Sequence, residues 1–165
     1  MTATHRLRRF TATVAILYAI VLLLIAFWPT PVDRPASDFI DRVVGWFARH
    51  GLDVVTYGVI EAGANVLLFI PAGLLLVVLL GLPWWWLSIL GGVAASVVIE
   101  LGQYLFLDER FATSNDIYAN TIGTVIGTLI GVIALLIARW ADAIRHRRAQ
   151  AAVRVRSARA PSRRP

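Results

Sequence analysis

The 165-residue chain contains no cysteine and no lysine, only three histidines, and little charge for its length. Each absence removes a class of function. Without cysteine there is no disulfide, no thiolate nucleophile and no cysteine-held metal, and His5, His50 and His146 are too scattered to offer a metal-ligand spacing. Zinc and redox chemistry are not expected, and neither is a cofactor. No histidine lies within an apolar run, so a Ser-His-Asp triad and a histidine nucleophile are both missing, and no Walker-type glycine loop implies ATP. Arginine supplies every fixed cation of the formal +6 net charge. An arginine-only cation set reads as biased codon usage, and no nucleic-acid partner is inferred from it.

What the chain does have is apolar surface. Hydrophobic residues make up 58% and charged residues 16%, where a water-soluble domain would carry roughly 25% charge; the mean hydropathy is +0.71. The surrounding solvent is therefore lipid. Backbone polar groups must be satisfied within the segment that crosses a bilayer, so apolar runs of about 20 residues must be helices. The period-two alternation of a membrane barrel is not present. The expected fold is all-α and polytopic, with four transmembrane helices and one short amphipathic interfacial helix on the outer face.

The first span covers about 10–28, uncharged, preceded by Arg6, Arg8 and Arg9 and closed by Trp28-Pro29. It exceeds a signal-peptide core and no small-x-small cleavage site follows, which favours a retained helix. After a proline-rich loop, Ser37 can cap a helix over about 37–50, with Asp38 and Asp41 at its start and Gly51 as its stop. Its apolar residues Phe39, Ile40, Val43, Val44 and Phe47 share one face, the pattern of a helix lying in the interface. The second span covers about 57–82 and carries Pro71, expected to kink it near Leu67. Gly81-Leu82-Pro83 turns into Trp84, Trp85 and Trp86 at headgroup level. The third span is about 84–107 and the fourth about 117–139.

This divides the chain into a cytoplasmic N-terminus (1–9), a transmembrane domain (10–140) and an arginine-rich cytoplasmic tail (141–165) expected to be disordered. Arginines concentrate at the two ends, and four crossings put both ends on one side. The positive-inside rule makes that side the cytoplasm of a bacterial inner membrane.

With that topology, polar residues of the last three spans converge on the outer leaflet. Glu61 and Asn65 are four apart on span two; Glu100, Gln103 and Tyr104 share a face of span three; Asp116 and Asn120 are four apart on span four, with Arg110 just before them. A carboxylate at a helix centre costs on the order of 3 kcal/mol to insert, so such groups face protein or a water-filled cavity. Simpler readings stand beside this one. Asn65 and Gln103 can act as interhelical glue, Glu100 and Arg110 as a structural ion pair, and Asp116 as a helix-start charge after the capping residues 113–115. Gly123, Gly127 and Gly131 form a small-xxx-small stripe for close helix packing, through which a homodimer could assemble.

The block Asn-x-x-x-Phe-x-Pro-x-Gly over 65–73, the Glu100-x-x-Gln103 pair, Arg110, and the block Asp-x-x-x-Asn-x-x-Gly over 116–123 together resemble the VanZ-like family of bacterial membrane proteins. The likeness covers roughly 61–131. One departure is that the acidic run common in the family between the arginine and the last aspartate is here Phe111-Ala-Thr-Ser-Asn115, so Asp116 alone preserves that acidity. The family is named for low-level teicoplanin resistance, and the resemblance implies a role at the cell envelope. Glu61, Asn65, Glu100, Gln103, Arg110, Asp116 and Asn120 would bind an amphiphile, either a lipoglycopeptide or a lipid-linked cell-wall intermediate, with Arg110 on its anionic group. The alternatives are a membrane enzyme modifying a lipid or glycan headgroup, with Glu100 or Asp116 as acid/base, and a small transporter or flippase whose missing walls a homodimer would supply.

Overall fold

A computed structural model of the protein describes residues 3–28, 37–107 and 114–159. It falls into two compact units, Met1–Val132 and Ile133–Pro165. The helices are α1 (Ala3–Ala26), α2 (Ser37–Arg49), α3 (Tyr57–Leu80), α4 (Trp85–Phe106) and α5 (Ser114–Arg159), with a 3-10 turn over Leu82–Trp84. There is no strand among the described residues. Among the described residues, four segments are long and apolar enough to cross a membrane: Arg8–Ala26, Tyr57–Leu80, Leu82–Phe106 and Ser114–Ala151.

The helix ends follow local chemistry. Thr56 caps α3 by accepting the Val59 N–H. Gly51 (φ +77°) ends the helical turn after α2, and Gly81 (φ +84°) closes α3 with its N–H on the Val77 carbonyl at 2.8 Å; both backbones lie where glycine is favoured. The next proline, Pro83, then starts the turn that leads into α4. α3 is one helix through Pro71. The proline removes an intrahelical donor from this turn, and the Tyr18 hydroxyl of α1 donates to the neighbouring Leu68 carbonyl. α2 is amphipathic and buries no residue, with Phe39 and Trp46 exposed, as an interfacial helix requires.

The packing is inverted relative to a soluble domain. The buried polar or charged residues are Ser88, Ser96, Glu100, Gln103, Asn120, Thr124 and Thr128, against five buried apolar ones, while Leu24, Leu67, Val98 and Leu129 are exposed. Water would not tolerate that exterior. A small apolar cluster of Ala26, Phe69 and Ile99, joined by Leu22, Phe27 and Leu68, holds α1 against α3 and α4.

Two expectations need correction. The stripe Gly123, Gly127 and Gly131 faces α3 of the same chain: a side-chain carbon at Gly123 would overlap the Val66 carbonyl, at Gly127 the Ile70 carbonyl, and at Gly131 the Val77 side chain. The face set aside for a homodimer is occupied within the chain, because close backbone approach is what small residues permit. The tail from 141 is also not disordered as far as Arg159: it continues α5. Residues 141–160 contain neither glycine nor proline and are dominated by alanine and arginine, which rank among the best helix formers; Pro161 is the first breaker.

Candidate functional site: a buried polar seam

Helical periodicity aligns two four-residue stripes. On α4 they are Ser88, Gly92, Ser96 and Glu100; on α5, Asp116, Asn120, Thr124 and Thr128. The helices run antiparallel, and contacts fix their register. Asn120 Nδ2 donates to Ser96 Oγ at 2.9 Å, a side-chain carbon on Gly92 would overlap the Thr124 side chain, and Ser88 Oγ lies 2.9 Å from Thr128 Oγ1. The next step of this register sets Glu100 and Asp116 at one level.

The Ser88–Thr128 end of the seam is saturated. Ser88 gives its single hydroxyl proton to the Gly73 carbonyl of α3 at 2.9 Å, so the Thr128 hydroxyl must be the donor in their mutual bond. Thr124 Oγ1 donates back to the Asn120 carbonyl at 2.9 Å. The Ser88 and Thr128 hydroxyls join α3, α4 and α5 as interhelical glue, whereas Thr124 is satisfied on its own helix; none of the three is accessible.

The end that holds Glu100 and Asp116 differs. Asn65 Nδ2 of α3 donates to Asp116 Oδ1 at 2.6 Å, tying α3 to α5 with a charge-assisted bond. Glu100 is only 6% exposed and Asn120 only 3%. Asn120 Oδ1 is a buried acceptor with no hydrogen-bond partner; such a group forfeits about 1–3 kcal/mol and calls for an explanation. A double-mutant cycle on Asn65→Ala and Asp116→Ala, read by unfolding of the purified protein in mixed micelles, should return a coupling of about 1–2 kcal/mol, at the upper end for membrane hydrogen bonds.

Among the residues singled out from sequence, the structure thus brings Asn65, Glu100, Asp116 and Asn120 to one end of α3, α4 and α5. Glu61 lies one helical turn beyond Asn65 and is exposed. Gln103 is buried but turned to α1, where its Nε2 donates to the Ala26 carbonyl at 2.8 Å, satisfying one of the orphan carbonyls at the α1 terminus. Tyr104 is 73% exposed and stands apart from both. Arg110 lies outside the described residues. Sequence reading missed Ser88, Ser96, Thr124, Thr128 and Tyr18, although the four-residue spacing of the first four was a usable signal. Among the described residues, no three His, Cys, Asp or Glu side chains are grouped to hold a metal ion.

Spanning helices with an apolar exterior and a polar interior define a multi-pass helical membrane protein. The profile of the VanZ/LLP1 family matches residues 15–136, most of the chain and the whole seam, and the protein belongs to that family. No curated protein and no solved structure matches the chain.

Proposed function

We propose that the outer end of the seam binds the headgroup of an amphiphilic envelope ligand, a lipoglycopeptide or a lipid-linked cell-wall intermediate, and that this is the basis of a glycopeptide-resistance role. Asn65, Glu100, Asp116 and Asn120 form the floor, with Glu61 at the rim, and Arg110 pairs with the anionic group of the ligand. The arginine-rich ends lie in the cytoplasm, which puts the site in the outer leaflet of the inner membrane, where such ligands reside. Gln103, engaged with α1, positions a helix and is not a ligand group. The observation that carries the reading is the unpartnered, buried Asn120 Oδ1, in a layer that also holds a buried glutamate. A seam built only for packing would be saturated at both ends, as it is at Ser88 and Thr128.

The test compares Glu100→Gln, Asn120→Ala and Arg110→Ala with wild type for teicoplanin susceptibility and for protein abundance in isolated membranes. The expected result is susceptibility at the level of a deletion strain with abundance unchanged. Abundance falling in step with the phenotype would assign these residues to packing and sink the proposal.

A further inference from the structure

Seven arginines lie between Arg139 and Arg159, with Asp142 the only acid, so this segment carries a formal +6, as much as the whole chain. The remainder of the molecule sums to neutrality. Within the unit Ile133–Pro165 the segment is helical to Arg159, and Arg139, Arg145, Arg147 and Arg148 are exposed. Asp142 is paired with Arg145 and offsets only that one.

Helical spacing puts Arg139, Arg145, Arg147 and Arg148 on different sides of the helix. Its apolar residues are mostly alanine and leave only a narrow line through Trp140, Ile144 and Ala151, and a helix with cations on its other sides needs an ionic or aqueous environment there. Its first cation follows directly on Ala138, the last residue of an uncharged run, and exposed Trp140 comes next, the residue type enriched at the lipid–water boundary. At a rise of 1.5 Å per residue, Arg139 to Arg148 spans roughly 14 Å, comparable with the headgroup layer plus a Debye length of about 8–10 Å. The nearest dense anion source for a charge tethered in this way is the adjoining leaflet.

We propose that the Arg139–Arg159 helix is a docking surface for anionic phospholipid headgroups. Arginine suits this use, since its guanidinium holds phosphate bidentately and stays charged at every physiological pH. Each arginine close to the surface strengthens attachment by about fivefold. This reading is independent of the seam.

Tryptic cleavage supplies the test, because every cation in the segment is a trypsin site. The full-length protein is placed in nanodiscs of phosphatidylcholine alone or mixed with phosphatidylglycerol. Release of peptides cut at Arg154, Arg156 and Arg159 is timed by mass spectrometry and normalised to cleavage at Arg49 in the charge-balanced α2 region. Cleavage should be about tenfold slower in the anionic discs at low salt, and the difference should vanish near 1 M salt, where the Debye length falls to about 3 Å. The triple change Arg145→Gln, Arg147→Gln and Arg148→Gln leaves the later sites intact and should abolish most of the difference. Equal rates in the two discs at low salt would overturn the proposal. So would protection by an added oligonucleotide that exceeds protection by phosphatidylglycerol, which would assign the segment to a nucleic acid.

Discussion

Gly127→Leu should leave little folded protein in the membrane. A side-chain carbon at this position meets the Ile70 carbonyl, a backbone atom that no rotamer change can move aside. α3 and α5 would have to separate, and with them would go the contacts at Gly123 and Gly131 and the Asn65–Asp116 bond. Overpacking costs about 1–3 kcal/mol where side chains can adjust; here they cannot, and the loss reaches the order of the whole stability of about 5–15 kcal/mol. The internal control is Gly63, beside which an added carbon meets nothing within 4 Å. Gly63→Ala should be neutral or stabilise by up to about 1 kcal/mol through helix propensity, whereas Gly127→Ala should lower the denaturation midpoint clearly. Equal behaviour of the two alanine variants in micelle unfolding would show that the helices do not meet at this stripe.

The second large effect concerns register. A chain without cysteine is a clean background for paired cysteines. Ser88→Cys with Thr128→Cys, and Ser96→Cys with Asn120→Cys, join positions whose side-chain atoms already touch. Both pairs should cross-link almost completely in membranes treated with a mild oxidant, seen as a mobility shift reversed by reductant. Ser96→Cys with Thr124→Cys, one turn out of register, should stay reduced. Cross-linking of the shifted pair in preference to the aligned ones would dismantle the seam, and the proposed binding site with it.

Much of this architecture was legible in the residues themselves. Charge-free runs bounded by arginine and tryptophan mark the spans, and Gly51 and Gly81 mark the stops that positive φ angles realise. The acidic and amide residues at the Glu100–Asp116 end were legible because lipid makes Glu100 and Asn120 conspicuous. The lower seam was not, since serine and threonine in an apolar run can satisfy themselves on their own helix backbone, as Thr124 does on Asn120. Spacing alone also cannot say whether a glycine stripe meets its own chain or another copy; the α3 carbonyls of Val66 and Ile70 decide it. The arginine-rich segment was misjudged because composition was weighed above the local preference of alanine and arginine for helix. Gln103 was grouped with Glu100 by spacing, whereas the terminus of α1 claims its amide.

The attachment of α1 bears on how the molecule assembles. Three contacts that hold this helix, the Leu68 carbonyl that receives Tyr18, the space at Gly102 filled by the Phe27 ring and the amide of Gln103, are contributed by α3 and α4. Those segments leave the ribosome well after α1 has been made. Among the described helices, α1 is made before the two that seat it and must wait in the bilayer for α3 and α4 before it can dock.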